Sequence, residues 1–510
     1  MSAQRLENPI STEQPVINHW IGGRRHTPAP ARTGDVFNPA TGAVTAQVAF
    51  ASEDDVDTAV ANAADAAAGW GEASLAARTA VLFGMRERLA ARVDELAAII
   101  TSEHGKVLSD AAGEIKRGLE VVEYACGLAA LLQGGHTENA STQVDVHSVR
   151  QPLGVVGVIS PFNFPAMVPL WFVPIAIACG NAVVLKPSEK DPSAAMFLAE
   201  VFSQAGLPDG VLNVVHGDKG AVEALLRHPG VQSISFVGST PVARSVYEIG
   251  TKHGKRVQAL GGAKNHMVVL PDADLDNAAD AAVSAGFGSA GERCMAVSAV
   301  VAVGSVADEL VAKITDRVAQ IRVGDGRHTD SEMGPLITRE HRDKVAGYLD
   351  AGAAAGAQLV VDGRQHAIEG PEGGFWLGPS LLDHVSTDMS VYAEEIFGPV
   401  LSVLRVDTFE EALAVVNANP YGNGTAIFTA DGGAARQYQR RVQVGMVGVN
   451  VPIPVPVASY SFGGWKSSLF GDTHAYGPHG IHFFTRSKVV TTRWPDPSQG
   501  GVNLGFPQHT

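Results

Sequence analysis

A chain of 510 residues is too long for a single hydrophobic core and implies several domains. At 45% hydrophobic and 18% charged residues it is a folded globular protein, and its net charge of −15 leaves no basic excess for nucleic acid or an anionic membrane surface. Its three cysteines, Cys126, Cys179 and Cys294, are too few and too scattered for a disulfide framework and fit a reducing, cytoplasmic setting.

Residues 1–15 read as a leader with no apolar core and no arginine enrichment, so no secretory or transit peptide is expected. From His19 to Ala49, short alternating segments broken by Gly, Pro and Asn predict strands and turns. Ser52 followed by Glu53, Asp54 and Asp55 marks a helix start, and the helix runs to about Gly69. A second helix is predicted over 75–103, with Leu82, Met85, Leu89, Val93, Leu96 and Ile100 on one face and Gly105 closing it. A third runs from about Ser109 to Leu132 and ends at Gly134-Gly135; residues 142–150 alternate as a strand.

From Gly154 the pattern changes. Apolar runs (GVVGVI, NAVVLK, VLNVVHG, SISFVGS, RVQAL) alternate with helical stretches near 166–179, 192–205, 219–227 and 240–253. Such alternation builds a parallel sheet covered on both faces, with ligands at the carboxyl ends of its strands. No GxGxxG follows any of them. The run Ala166 to Cys179 is too short, and too interrupted by proline, to span a bilayer. A second α/β block covers about 265–470, with strands at 297–303, 358–361, 400–405 and 425–429 and helices near 306–321 and 338–356. Pro452, Pro454 and Pro456 make an extended segment, and 481–492 alternates as a terminal strand whose partner is expected in another domain or subunit.

Five stretches carry chemistry. Ser289-Ala290-Gly291-Glu292-Arg293-Cys294 places a lone thiol beside a cation, which favours the nucleophilic thiolate, after small residues that leave room for a close approach; the alternative is a small buried hydrophobe. Asn163, in SPFNFP after the first parallel strand, is either an amide donor for developing negative charge or the cap of a turn. Lys186 and Glu189, in KPSE, suit ribose hydroxyls or form a solvated pair. Gly238 and Ser239, in FVGST, open a helix that suits a phosphate or is simply capped. Glu394-Glu395-Ile396-Phe397 sets a carboxylate pair beside an aromatic at a turn.

In this order and spacing, SPFNFP, KPSE, FVGST, LGG, the Gly-x-x-Cys and EEIFGPV resemble the aldehyde dehydrogenase superfamily over about 20–495. The resemblance implies an NAD-binding domain (16–133 and 151–260), a catalytic domain (261–472) and a small β element for oligomerisation (134–150 and 473–497), with tails at 1–15 and 498–510. It implies Cys294 as nucleophile and Asn163, with the Cys294 backbone N–H, as oxyanion hole. Phe162, Lys186, Glu189, Gly238, Ser239, Glu395 and Phe397 would line the NAD site. Glu189 would repel a 2′-phosphate and so favour NAD over NADP. No metal is expected, and a homotetramer or homodimer is.

One departure matters. Hydrolytic members carry a Glu at the head of ELGG as base for water; here Ala259 stands there, in QALGGAKN. Alanine accepts no proton, so the acyl-enzyme can wait for a thiol. ALGGAKNH, GERCMA and PIPVPV resemble the CoA-acylating methylmalonate-semialdehyde branch of the family. That likeness implies coenzyme A as co-substrate and a substrate carboxylate held by Arg117 and Arg293. Read alone, Arg117 is a surface charge paired with Glu120 or Glu114. A hydrolytic semialdehyde dehydrogenase releasing free acid is the alternative.

Overall fold

A computed structural model describes residues 14–28 and 32–494. The expected tails, apart from Gln14 and Pro15, lie outside the described residues, as do 495–497 of the bridging segment.

The alternation after Gly154 builds an eight-stranded sheet, in the order Leu469–Phe470, Arg256–Leu260, Val231–Val237, Val155–Ile159, Ala182–Lys186, Leu212–Val214, His19–Ile21 and Arg24–His26. The strands from Arg256–Leu260 to Leu212–Val214 run parallel, and those outside them are antiparallel. Val155–Ile159 and Ala182–Lys186 are buried at every residue, which is why they read as continuous apolar runs.

The helix start at Ser52 forms as expected: its hydroxyl accepts from the Asp55 N–H and the Asp55 carboxylate accepts from the Ser52 N–H, opening the Glu53–Glu72 helix. The helix expected over 75–103 is two, Leu75–Ala90 and Val93–His104. The intervening turn keeps the spacing from Leu89 to Val93 and Leu96, so periodicity does not reveal it. The helix expected over 109–132 also divides, into Leu108–Cys126 and a short Leu128–Leu131 turn, at Gly127. Leu108–Cys126 packs on Met167–Ala178, which is buried throughout and continues through Pro174.

The second block forms a seven-stranded sheet, in the order Gln358–Val361, Ser380–Asp383, Val400–Val406, Val297–Val303, Asn265–Val269, Gly424–Phe428 and Met446–Val449. All neighbours are parallel except Gln358–Val361, which is antiparallel. Leu469–Phe470, from the end of this block, returns to the first sheet.

The terminal strand, Thr485–Arg493, pairs antiparallel along its whole length with Val144–Pro152 of the same chain, and His136–Ser141 completes a three-stranded sheet. The residues IHF before it are the end of a helix, Gly477–Phe483, and not part of the strand. Pro478 in the first turn sets that helix and overrides the β-prone side chains that follow. No described helix is long and apolar enough to cross a membrane.

Candidate active site

Cys294 follows a strained loop. Between the Leu275–Phe287 helix and the Val297–Val303 strand, Ser289, Ala290 and Gly291 all take positive φ (54°, 52° and 74°). Phe397, on the facing loop, also has φ 58°. Such conformations persist only where the surroundings enforce them. The close approach that the small residues permit is made by protein: a β-carbon on Gly291 would lie 2.5 Å from the carbonyl carbon of Gly398. Two buried amides, Asn265 (2.9 Å) and Asn423 (3.0 Å), donate to the Cys294 carbonyl and fix its backbone.

The half-buried Cys294 thiol is pushed up to about 12, first by burial and then by the Glu395 carboxylate. The neighbouring Arg293 cation pulls the other way, as the sequence suggests, but burial and Glu395 outweigh it. Arg293 donates through Nη2 to Asp110 (2.6 Å) and its guanidinium lies over Gly288, so its charge is already partnered. Its Nε is buried with no hydrogen-bond partner. Arg293 lines the cavity that holds Cys294 and also a neighbouring one of about 350 Å³.

Asn163 is gripped at both ends. Its side-chain Nδ2 donates to the Glu292 carbonyl (2.9 Å), and its backbone carbonyl accepts from Lys106 Nζ (2.6 Å). An amide nitrogen carries two N–H groups, so one anchored on Glu292 leaves the other for an oxyanion. Lys106 is paired with Glu114 (2.6 Å), both fully buried, and Glu114 also accepts the N–H groups of Ala166 and Met167. The Glu292 carboxyl, pushed up to about 8 by burial, accepts from the Ile337 N–H and is flanked by His104 (3.8 Å) and His341 (3.7 Å). The sequence reading missed Lys106, Glu114, Glu292, Asn265 and Asn423 as site-builders. Asn265, just after the LGG motif, was the one with a sequence signal.

On the other side of Cys294 the strand ends open towards the expected nucleotide residues. Lys186 Nζ lies 3.3 Å from Glu189 at the end of Ala182–Lys186. Gly238 and Ser239 end Val231–Val237 and begin the Thr240–Lys252 helix, whose cap makes no side-chain hydrogen bond, unlike Ser52 and Ser74. A helix N-terminus with an exposed, unspent hydroxyl fits a diphosphate. Glu395, pushed up to about 7 by burial, accepts from the Ala263 N–H (2.9 Å), and its carboxyl carbon would lie 3.0 Å from a β-carbon on Gly262. Phe397 meets Phe162 edge-on (5.9 Å). The structure thus gathers Cys294, Asn163, Glu395, Phe397 and Phe162 around one centre, with Lys186, Glu189, Gly238 and Ser239 at the carboxyl ends of two interior strands.

Arg117 does pair with Glu120 (2.6 Å), as a local helix reading expects, but its other amino group donates to the Pro456 carbonyl (2.9 Å). Ala259 is fully buried between Phe236 and Phe470 in the sheet, so no carboxylate stands at the head of LGG. Among the described residues no group of His, Cys, Asp or Glu is arranged to hold a metal ion.

A covered parallel sheet with a loop-borne cysteine, an anchored amide and an open helix N-terminus near its strand ends is the architecture of an α/β nucleotide-binding enzyme. The aldehyde dehydrogenase family profile matches residues 26–490, and the chain belongs to that family. It is 54% identical over 493 residues to malonate-semialdehyde dehydrogenase of Pseudomonas aeruginosa, covering 96% of this chain and 99% of that one. The methylmalonate-semialdehyde dehydrogenase structure from Oceanimonas doudoroffii superposes with a TM-score of 0.94 at 51% identity, over 95% of this chain and 99% of its own. A Sinorhizobium meliloti structure described as a candidate methylmalonate-semialdehyde dehydrogenase complexed with NAD gives a TM-score of 0.94 at 48% identity, covering 96% of this chain and 100% of that one.

Proposed function

We propose that the enzyme carries out the NAD-dependent oxidative decarboxylation of malonate or methylmalonate semialdehyde and passes the acyl group from Cys294 to coenzyme A. The relatives' names support the substrate class, and the Sinorhizobium complex supports NAD. The open helix N-terminus at Ser239 and the Lys186–Glu189 pair fit the nucleotide. When bound, NAD⁺ supplies the acceptor for the aldehyde's hydride.

Cys294 loses its proton to solvent and attacks the aldehyde carbon as the thiolate. The free N–H of Asn163 and the Cys294 backbone N–H stabilise the resulting oxyanion. Arg117 and Arg293 hold the substrate's carboxylate; the unpartnered Nε of Arg293 is a donor that such a group would satisfy. After oxidation Cys294 carries a thioester β to that carboxylate, so CO₂ leaves through an enolate stabilised by the thioester carbonyl, and the enolate takes up a proton from solvent at carbon. Attack by the CoA thiol on the remaining acetyl or propionyl thioester frees Cys294.

The observation that carries the CoA reading is Ala259, a buried methyl where a base for water is needed. Hydrolysis has one specific support: Glu395, pushed up to about 7 and close enough to act on the thiol electrostatically, is a group that can take a proton from water. NADH formation from methylmalonate semialdehyde, with and without CoA and with propionyl-CoA assayed, separates the two. A CoA-independent rate yielding only free acid sinks thiolysis.

The three-stranded sheet exposes Val149 and Val489, with Trp494 exposed just past its last strand, and we read it as the surface through which copies form a dimer or tetramer. Three free cysteines suit the cytoplasm.

A further inference from the structure

Tyr476 is held where a tyrosine is not at ease. Its backbone lies at φ 39°, ψ −165°, a region that bulky L-residues avoid, and Gly477 follows at φ 57°. The surroundings over-determine this conformation. The Tyr476 carbonyl accepts from the Ser461 hydroxyl (3.0 Å) and the Gly480 N–H (2.9 Å). The ring is 2% exposed, meets Trp171 edge-on at 5.4 Å and lies 6.3 Å from Phe462. A glycine would relieve the backbone but remove the ring and hydroxyl, and strain kept in this way concentrates at functional sites.

The hydroxyl spends its proton on one acceptor, the Pro456 carbonyl, at 3.1 Å. The same carbonyl accepts from Arg117 Nη2 at 2.9 Å. A carbonyl oxygen has two lone pairs and can serve both donors. Pro452, Pro454 and Pro456 stiffen the segment that presents it. Arg117 spends one N–H here and one on Glu120, which leaves three of the guanidinium's five N–H groups. Cys294 and Arg117 both bear electrostatically on the phenol, so Tyr476 lies within reach of both. Burial keeps the phenol protonated and hence a donor.

We propose that Tyr476 is a positioning residue for substrate specificity: through the Pro456 carbonyl, which both side chains share, it holds the Arg117 guanidinium in place to receive the carboxylate of a short aldehyde. This rests on the reading that Arg117 receives the substrate's carboxylate, and extends it to a residue that touches neither the carboxylate nor the reacting carbon.

The test is Tyr476→Phe, which keeps the ring and removes the hydroxyl, compared with Arg117→Leu and the double variant. Steady-state kinetics are run with methylmalonate semialdehyde and with propanal, beside thermal melting of each protein. Tyr476→Phe is expected to raise KM for the semialdehyde roughly tenfold with kcat nearly unchanged, leave propanal kinetics as they are, and melt near the parent. Added to Arg117→Leu it should cost nothing further. A selective Arg117→Leu beside a Tyr476→Phe that affects both substrates equally, or neither, overturns the role of Tyr476 alone. Equal effects of Arg117→Leu on both substrates overturn the carboxylate reading, and this assignment with it.

Discussion

Replacing Gly291 by alanine tests whether the cysteine loop and the Phe397–Pro399 turn are held in contact for catalysis. Gly291 has φ 74°, and a β-carbon there would lie 2.5 Å from the Gly398 carbonyl carbon, with the Pro399 nitrogen at 3.1 Å. Carbon contacts are comfortable at about 3.5–4.0 Å, so the two loops must part by about 1 Å. Cys294 is three residues beyond Gly291, and Phe397 immediately precedes Gly398. A displacement of about 1 Å between reacting groups can cost about 10²-fold in rate. Gly254 is the internal control, because its φ is 73° but a β-carbon there meets nothing within 4 Å. Both variants pay the left-handed backbone penalty of roughly 1–2 kcal/mol, and only Gly291→Ala pays the clash. NADH absorbance gives kcat/KM, and melting curves give the stability change of each. Gly291→Ala should lose about 10²-fold in kcat/KM, while Gly254→Ala should lose a little stability and keep its activity. Parent-like activity of Gly291→Ala, or an equal loss in Gly254→Ala, would refute the reasoning.

Lys106→Met leaves Glu114 buried without its cation and frees the Asn163 carbonyl. It should destabilise the fold by about 3–5 kcal/mol. Lys106→Met/Glu114→Gln should recover part of that loss, and an unchanged melting temperature for the single variant would contradict the account. With its thiol pushed up to about 12 by burial and Glu395, Cys294 holds far less thiolate at pH 7 than an ordinary cysteine. Because the folded state favours the neutral thiol, iodoacetamide labelling of the free enzyme at Cys294 should keep rising with pH beyond pH 9; a plateau below pH 8 would show a thiolate already formed. Ending the chain before Thr485 strips Val144–Pro152 of its partner strand. If copies associate through this sheet, light scattering should report a smaller particle, and an unchanged mass would count against it.

The parallel sheets were legible because strands buried on both faces must be apolar throughout, as Val155–Ile159 and Ala182–Lys186 are. The turn at Ala91–Arg92 was not, because the helical spacing resumes in phase across it. IHF was misread because composition favours a strand while Pro478, earlier in the chain, starts a helix. Cys294, Asn163, Glu395 and Phe397 could be named because they stand in ordered motifs. Their supports could not. Lys106, Glu114, Glu292, Asn423 and Tyr476 act through contacts with residues far away in the chain, and nothing in the local sequence announces them. The local sequence also suggested a free cation at Arg293, where folding brings Asp110 against it.

The central claim is that Cys294 holds an acyl group which water removes slowly and coenzyme A removes quickly. Rapid-quench mass spectrometry of the enzyme mixed with NAD⁺ and methylmalonate semialdehyde addresses it directly. Without CoA, a propionyl group should accumulate on the peptide containing Cys294. With CoA, that adduct should vanish as propionyl-CoA appears at the same rate. An adduct that decays equally fast without CoA, or that forms on another residue, would contradict the account.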